Sequence, residues 1–159
     1  MDRITAAVAL GSNLGDRRAH LDYAASKLHG LLAGLKVSRY YDTKPEGVSG
    51  PQPMFLNAAA VGETTMSAHA LLEALLAIED EQGRDRPYPN APRSLDLDLI
   101  LFGDLTRDEP GLVVPHPRFR QRRFVLEPLA SIAPDLRDPV SGLSIADLLL
   151  DLGAAGVRS

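Results

Sequence analysis

The chain has 159 residues, of which 45% are hydrophobic and 24% are charged, a balance typical of a globular domain. It contains no cysteine, which excludes disulfide bonds, thiolate nucleophiles and cysteine-ligated zinc. The net charge of -4 argues against a general nucleic-acid binder. Apolar runs are too short to cross a membrane, and MDRITAAVALGSN becomes polar too early for a signal peptide. We therefore expect one cytoplasmic domain over residues 1–159.

Apolar periodicity predicts strands and helices that alternate along most of the chain. The expected elements are a strand over 4–10, a helix capped by Asp16 with apolar residues from Leu21 to Leu35, strands over 37–43 and 55–63, a helix from about Ser67 to Gly83, a strand within 93–103, a short strand in LVVPHP, a helix over about 121–132, and a closing helix. Ser144 and Asp147 form a capping box before that last helix. The order predicts a two-layer α+β sandwich, in which helices cover one face of an antiparallel sheet.

The segment RSLDLDLILFG alternates strictly between leucine and other residues, which is typical of a half-buried strand. Successive side chains of a strand point to opposite faces. Asp96 and Asp98 should therefore share one face, and the leucines at 95, 97, 99 and 101 should share the other. Two neighbouring carboxylates suit Mg²⁺ with a substrate phosphate. On this pattern alone, a solvated outer face that arginines neutralise remains the alternative.

Glu79 extends the apolar stripe of its helix, and a carboxylate on a core-facing side needs a partner. The alternative is a frayed helix end where the side chain reaches water. Arg84 and Arg86 follow within a few residues, and the loop that they begin leads to Arg93 and the aspartate strand. Chain connectivity therefore brings acids and arginines to one end of the sheet.

A second basic cluster lies in PHPRFRQRRF, where His116 stands between two prolines. Its arginines are Arg118, Arg120, Arg122 and Arg123. They could form a solvated face, but together with the paired aspartates they suit a metal–polyphosphate substrate. GSNLG lacks the lysine of a P-loop and forms either an anion-binding nest or a strand-to-helix turn. The residues alone thus predict a Mg²⁺-dependent transfer that involves a nucleotide polyphosphate.

Collinear motifs extend this prediction from about Val8 to Pro134. They are GSNLGD, TKPEG, FLNAA, IEDEQGRDR, APRSLDLDLILFG, VPHPRF and RRFVLEPLASIAP. This series closely resembles the 6-hydroxymethyl-7,8-dihydropterin pyrophosphokinase family. The resemblance implies a ferredoxin-like α+β fold and a step of folate biosynthesis. In that step the β,γ-diphosphate of ATP moves to the hydroxymethyl group of 6-hydroxymethyl-7,8-dihydropterin, and AMP is released.

The resemblance also implies roles for individual residues. Asp96 and Asp98 resemble the ligands of two Mg²⁺ ions, and Arg84 and Arg93 resemble catalytic arginines that close over the phosphates. The residues implied to contact ATP are Glu79, Arg84, Arg86, Arg93, His116 and Arg122. Those implied to contact the pterin are Thr43, Lys44, Pro45, Phe55, Asn57, Asp96 and Phe124. The loop sequence PYPNAP departs from the family because it lacks a tryptophan.

Two other functions remain open at the level of sequence. A nucleotidyltransferase with paired aspartates would attack the α-phosphorus of ATP and release pyrophosphate. A ferredoxin-like RNA-binding module would instead present aromatic and basic side chains on its sheet, where this chain has paired acids. We expect a monomeric enzyme that acts on small molecules, with no nucleic acid or membrane as partner.

Overall fold

The computed structural model describes residues 2–43, 54–83 and 94–158. The predicted site residues Lys44, Pro45, Arg84, Arg86 and Arg93 lie outside these ranges. The strands are β1 (Ile4–Ser12), β2 (Ala33–Val37), β3 (Tyr41–Thr43), β4 (Phe55–Thr64), β5 (Asp96–Phe102), β6 (Arg107–Glu109) and β7 (Leu112–Val114). The helices are α1 (Arg17–His29), α2 (Ala68–Gly83), α3 (Arg123–Ile132) and α4 (Ile145–Arg158). A short 3₁₀ turn, Phe119–Gln121, precedes α3. Within these ranges, no helix has the length and apolar content that crossing a membrane requires.

The main sheet is antiparallel, with its strands in the order β2-β4-β1-β5, and β3 pairs with the beginning of β4. With α1 after β1 and α2 after β4, this order is that of the ferredoxin-like fold. The predicted α+β class is therefore confirmed. The strand β1 lies between β4 and β5, so residues from three strands meet along its length.

The segment after the first helix differs from the prediction. Asp16 caps α1 as expected, because its carboxylate accepts a hydrogen bond from the Ala19 amide at 3.1 Å. The helix nevertheless ends at His29, and Leu35 lies in β2. Gly34 adopts a φ of +61°, a conformation that glycine reaches without strain and that suits a turn of the chain. The predicted strand over 37–43 is also divided into the end of β2 and a separate β3.

Helices cover both faces of the sheet. On one face, α1 and α2 pack leucines such as Leu21, Leu28 and Leu71 against Val8 and Leu10 of β1. On the other face, α3 and α4 pack against a row of small residues. That row is Ala7, Ala9 and Ala59. The extra C-terminal helices are confirmed, but the expectation that only one face is covered is wrong, because this alanine row presents a second apolar face.

A β-bulge changes the pattern at the end of β5. Val8 of β1 stands opposite Leu99, whereas Ala7 stands opposite Leu101, so Ile100 is an extra residue in β5. Leu95, Leu97 and Leu99 pack with α1 and α2 as predicted, but Leu101 packs on the opposite face. The prediction that four leucines share a face is wrong at Leu101, because alternation cannot reveal a bulge. The two aspartates precede the bulge and keep their shared face.

The C-terminal segment is held by an ion pair that the sequence analysis did not foresee. Arg120 donates from Nε and Nη2 to the two carboxylate oxygens of Asp138, at 2.5 and 2.9 Å. Asp138 is fully buried and also accepts hydrogen bonds from the Val140 amide and the Ser141 hydroxyl. Burial by itself raises the pKa of Asp138, but the hydrogen bonds from Arg120, Ser141 and Val140 outweigh it and lower the pKa to about 2. At the start of α4, the Ser144 hydroxyl accepts from the Asp147 amide at 3.1 Å, as predicted.

This ion pair predicts a pH-dependent contribution to stability. The ordinary pKa of the carboxyl is 3.8, so the unfolded chain takes up this proton at a higher pH than the folded chain does. The contribution should be fully present above about pH 5 and should fall by about 2 kcal/mol between about pH 4 and pH 2. The measurement is the free energy of unfolding in urea, for the wild type and for Asp138→Asn. The difference between the two proteins should narrow on acidification, and a constant difference would contradict the assignment.

Candidate active site

The centre of the site is a glycine between two functional side chains. Gly11 of β1 stands opposite Asn57 of β4 on one side and Asp96 of β5 on the other. Because neighbouring strands are about 4.8 Å apart, Asn57 and Asp96 are separated by about 10 Å at the backbone. A Cβ atom at residue 11 would lie 3.1 Å from Asn57 Nδ2. The absence of a side chain here therefore leaves the floor between the two residues open.

A cavity of about 360 Å³, which we call the face cavity, opens above this floor. Its polar lining residues are Thr43, Asn57, Asp96, Asp98, Arg118 and Arg122, and its apolar lining residues include Ala9, Gly11, Phe55 and Phe124. The Thr43 hydroxyl donates a hydrogen bond to Asn57 Oδ1, which fixes the orientation of the buried amide. An aromatic pocket with a few oriented polar groups suits a flat heterocycle.

A second cavity of about 300 Å³, the edge cavity, lies where β5 ends the sheet formed by the described strands. Its apolar walls come from α2 and β7. Leu76 and Val113 belong to these walls and are 50% and 43% exposed, so they offer apolar surface to a ligand. Glu79, Asp96, Asp98 and His116 supply the charged and polar groups.

The two aspartates belong to both cavities. Among the residues that the structure describes, only Asp96 and Asp98 line the face cavity and the edge cavity together. Both are half-buried on the terminal strand β5. A ligand on the sheet face and a ligand at the sheet edge would thus meet at these carboxylates.

Glu79 holds this strand in place. Its side chain is only 5% exposed, and its Oε2 accepts a hydrogen bond from the Leu97 amide at 2.6 Å. Leu97 lies between the two aspartates, so α2 fixes β5 at the residue that separates them. The alternative of a frayed, solvated helix end is wrong for Glu79, because the strand amide gives the buried carboxylate a partner.

His116 is attached to the same strand. Its amide donates to the Ile100 carbonyl at 2.9 Å, and its Nδ1 accepts from the Arg118 amide at 3.1 Å. In the neutral ring the proton is then assigned to Nε2. Burial and the neighbouring charges of Arg122 and Arg118 lower the pKa of His116, and Asp96 opposes them. The imidazole is therefore neutral at pH 7 and offers an N–H donor.

The structure divides the arginine cluster that the sequence presented as one. Arg118 and Arg122 line the face cavity. Arg120 is bound to Asp138, and Arg123 is paired with Glu127 at 2.9 Å. Arg118 belongs to the basic cluster that the sequence linked to a polyphosphate, whereas Gly11 was not predicted as a site residue. The signal for Gly11 was present in GSNLG, but its position between Asn57 and Asp96 depends on strand pairing.

The donor set suits a hard divalent cation that substrate phosphates help to bind. Among the described residues, no group of three or more histidine, cysteine or acidic side chains could hold a metal ion. Two carboxylates on one strand face nevertheless fit Mg²⁺, which retains water molecules and takes phosphate oxygens as ligands. Asp96 and Asp98 are therefore suited to a metal that arrives with a nucleotide.

Fold and cavities together define an α+β domain in which two small-molecule sites meet at a carboxylate pair. The model of the family described as 7,8-dihydro-6-hydroxymethylpterin-pyrophosphokinase (HPPK) matches residues 7–134. A Pseudomonas aeruginosa protein named 2-amino-4-hydroxy-6-hydroxymethyldihydropteridine pyrophosphokinase is 44% identical over 153 residues, which cover 95% of this chain and 93% of that protein. A Synechocystis protein of the same name is 41% identical over 155 residues, covering 96% of this chain and 78% of that protein.

A solved structure supports the same fold. The HPPK-DHPS protein of Plasmodium falciparum superimposes with a TM-score of 0.74 at 15% sequence identity. The superposition covers 94% of this chain and 45% of that longer chain. The chain belongs to the HPPK family, and the family recognised from its sequence motifs is confirmed.

Proposed function

We propose that this protein transfers the β,γ-diphosphate of ATP to the hydroxymethyl group of 6-hydroxymethyl-7,8-dihydropterin and releases AMP, as a step of folate biosynthesis. Membership of the HPPK family supports this reaction. The structural observation that carries the proposal is the pair of aspartates common to both cavities. A transfer between two substrates requires two sites that share a reacting centre, and this arrangement provides it.

The face cavity suits the pterin. Phe55 and Phe124 offer aromatic surfaces for the flat bicycle, and the oriented amide of Asn57 can hydrogen-bond to its pyrimidinone edge. Asn57 and Asp96 lie about 10 Å apart across Gly11, a span that a bicyclic ring with a short substituent can bridge. With the ring edge at Asn57, the hydroxymethyl group is at the carboxylates. Thr43, Lys44 and Pro45 complete the proposed pterin contacts.

The edge cavity suits ATP. Leu72 and Leu76 face Leu112 and Val113 across a cleft whose apolar walls can hold a purine ring. The triphosphate would then extend toward the aspartate pair. His116 offers a neutral N–H donor there, and Arg122 offers positive charge from the face cavity. Glu79 serves this site by holding β5 in place.

The proposed chemistry is an in-line displacement at the β-phosphorus. The hydroxyl oxygen of the pterin bonds to the β-phosphorus, and the bond from that phosphorus to the α,β-bridging oxygen breaks. AMP leaves with that oxygen, and the hydroxyl proton passes to water. Asp96 and Asp98 orient the acceptor and would hold two Mg²⁺ ions, whose charge neutralises the phosphate oxygens. Arg118 and Arg122 can stabilise the negative charge that builds up in the transition state. Arg84, Arg86 and Arg93 are proposed to contact the phosphates from the loop outside the described residues, with Arg84 and Arg93 catalytic.

The two other functions agree less well with the site. A nucleotidyltransferase would need its acceptor at the α-phosphorus, and nothing in the paired cavities favours that position. An RNA-binding sheet would offer its face to nucleic acid, but here α3 and α4 cover that face and two carboxylates line its open end. We further propose that residues 1–159 act as one domain, because a single family model matches residues 7–134, and that this domain is monomeric. We also propose that the protein works in the cytoplasm, a compartment that supplies ATP.

Product analysis tests the reaction directly. The protein is incubated with ATP, Mg²⁺ and 6-hydroxymethyl-7,8-dihydropterin, and the nucleotides are separated by chromatography. AMP and a pyrophosphorylated pterin should appear in equal amounts, and AMP should not form when the pterin is omitted. Release of pyrophosphate with nucleotide joined to the pterin would instead support a nucleotidyltransferase.

Asp96→Asn and Asp98→Asn should each lower Mg²⁺-dependent turnover by about 100-fold or more. Each change removes a charge that holds the metal, and a bound metal supplies several kcal/mol of charge stabilisation. Initial rates over a range of Mg²⁺ concentrations, with thermal unfolding as a check on the fold, give the comparison. Asp108→Asn, an exposed change on β6, is the matched control and should retain normal turnover. Near-normal activity in either site variant would refute the metal-ligand assignment.

Gly11→Ala should weaken binding of the pterin by about 10-fold, because its methyl group would project into the floor beside Asn57 Nδ2. Isothermal titration with the pterin gives the affinity. In Gly153→Ala, the control, the added Cβ would be 3.7 Å from Arg123 Nη1, an ordinary contact away from the face cavity. Its pterin affinity should match the wild type, and unchanged affinity in Gly11→Ala would exclude the floor as the pterin site.

A further inference from the structure

The ion pair of Arg120 with the buried Asp138 involves the residue midway in sequence between the two arginines of the face cavity. We call residues 118–122 the arginine turn. Within it the Gln121 amide donates to the Arg118 carbonyl at 3.1 Å, and the Arg122 amide donates to the Phe119 carbonyl at 3.2 Å. The turn is thus a compact unit whose side chains lie in different environments. Arg118 and Arg122 line the face cavity, whereas Phe119 is fully buried and Arg120 reaches Asp138.

Hydrogen bonds hold both the side chain and the backbone of Asp138. Its carboxylate has no exposure and binds Arg120, the Val140 amide and the Ser141 hydroxyl together. The backbone around it is also fixed, because its amide donates to the Leu143 carbonyl and its carbonyl accepts from the Gly142 amide. The Ile145 amide then donates to the Leu136 carbonyl, at the first residue of α4. The arginine turn is therefore attached to the segment that begins α4 by the Arg120 side chain, in addition to the apolar packing of Phe119.

A guanidinium that contacts two carboxylate oxygens is held in position and in orientation. Since Arg120 is the middle residue of the turn, fixing it also fixes the backbone from which Arg118 and Arg122 extend. Arg122 has a further contact within the cavity, with its guanidinium carbon 5.5 Å from the centre of the Phe124 ring. Loss of the bidentate pair would leave the turn attached by Phe119 and the backbone, with more freedom for both cavity arginines.

We propose that Arg120 and Asp138 are positioning residues for the diphosphate transfer, acting through Arg118 and Arg122. The inference rests on the proposed function, because it assigns the two cavity arginines to the reacting phosphates. Displacing such groups by about 1 Å can lower a rate by about 100-fold, even when substrates still bind. The pair should consequently affect kcat more than KM, since charge on the phosphates changes most in the transition state.

A double-mutant cycle on kcat separates positioning from a general effect on the fold. Asp138→Asn is made in the wild type and in the Arg118→Ala/Arg122→Ala protein, and each protein is corrected for its folded fraction by circular dichroism. In the wild type we expect a 10- to 100-fold loss of kcat with less than a threefold change in KM for either substrate. In the background that lacks both cavity arginines, the same substitution should lower kcat by less than threefold, because both groups that it positions are already absent.

Two further variants complete the test, one as a substitute for Asp138→Asn and one as a control. Arg120→Lys keeps a positive charge beside the buried Asp138 but cannot make the bidentate contact, and it replaces Asp138→Asn in the cycle if that variant unfolds. Glu127→Gln removes the carboxylate partner of Arg123, an ion pair outside the turn, and should leave the kcat of each background unchanged. Equal losses of kcat in both backgrounds would overturn the inference. The proposed function would still hold in that case, provided that the wild type forms AMP. A wild type that forms no AMP would overturn the proposed function, and the inference with it.

Discussion

The register of β1 between β4 and β5 is the constraint on which the rest of this site depends. It sets Asn57, Gly11 and Asp96 side by side across three strands. A shift of one residue in either pairing would turn one of these side chains to the opposite face, because side chains alternate along a strand. The register is strongly specified, since Val8 and Leu10 must face α1 and α2 while Ala7 and Ala9 face α3 and α4. Packing on both faces of the sheet thus sets the positions of Asn57, Gly11 and Asp96.

Two hydrogen bonds from outside the sheet hold β5, one at Leu97 and one at Ile100. Glu79 binds the Leu97 amide, and the His116 amide binds the Ile100 carbonyl, so both edge-cavity residues hold the strand that carries the aspartates. The bulge at Ile100 follows Asp98 and leaves the alternation of Asp96 and Asp98 intact. Beyond it, Ile100 and Leu101 both pack with α3 and α4. One end of the strand is thereby available for chemistry, and the other end contributes to the core.

Much of this arrangement follows from local sequence patterns, and the errors have physical causes. Periodicity predicted β4 and α2 closely, Asp16 and Ser144 predicted two helix caps, and the motifs predicted the family. The covering of the second face by α3 and α4 depends on packing against small residues of distant strands, which periodicity cannot show. The aspartates were identifiable from RSLDLDLILFG, whereas the separation of Arg120 from Arg118 and Arg122 required its partner, 18 residues further along the chain. Contacts that join distant segments are what a single sequence conceals.

The terminal position of β5 explains how two substrates could reach the same carboxylates. A central strand has neighbours on both sides, so its side chains are accessible only from a face of the sheet. On a terminal strand, a side chain that points to one face also borders the open edge, where α2 and β7 leave a cleft. Asp96 and Asp98 can therefore be approached from the face by one ligand and from the edge by another. In the proposed arrangement, with the pterin on the face and ATP at the edge, neither substrate would have to cross the other to bring the hydroxyl to the β-phosphorus. The charge of the paired aspartates would be costly in a closed core, whereas at this junction it would be offset by the Mg²⁺ ions that the two carboxylates suit.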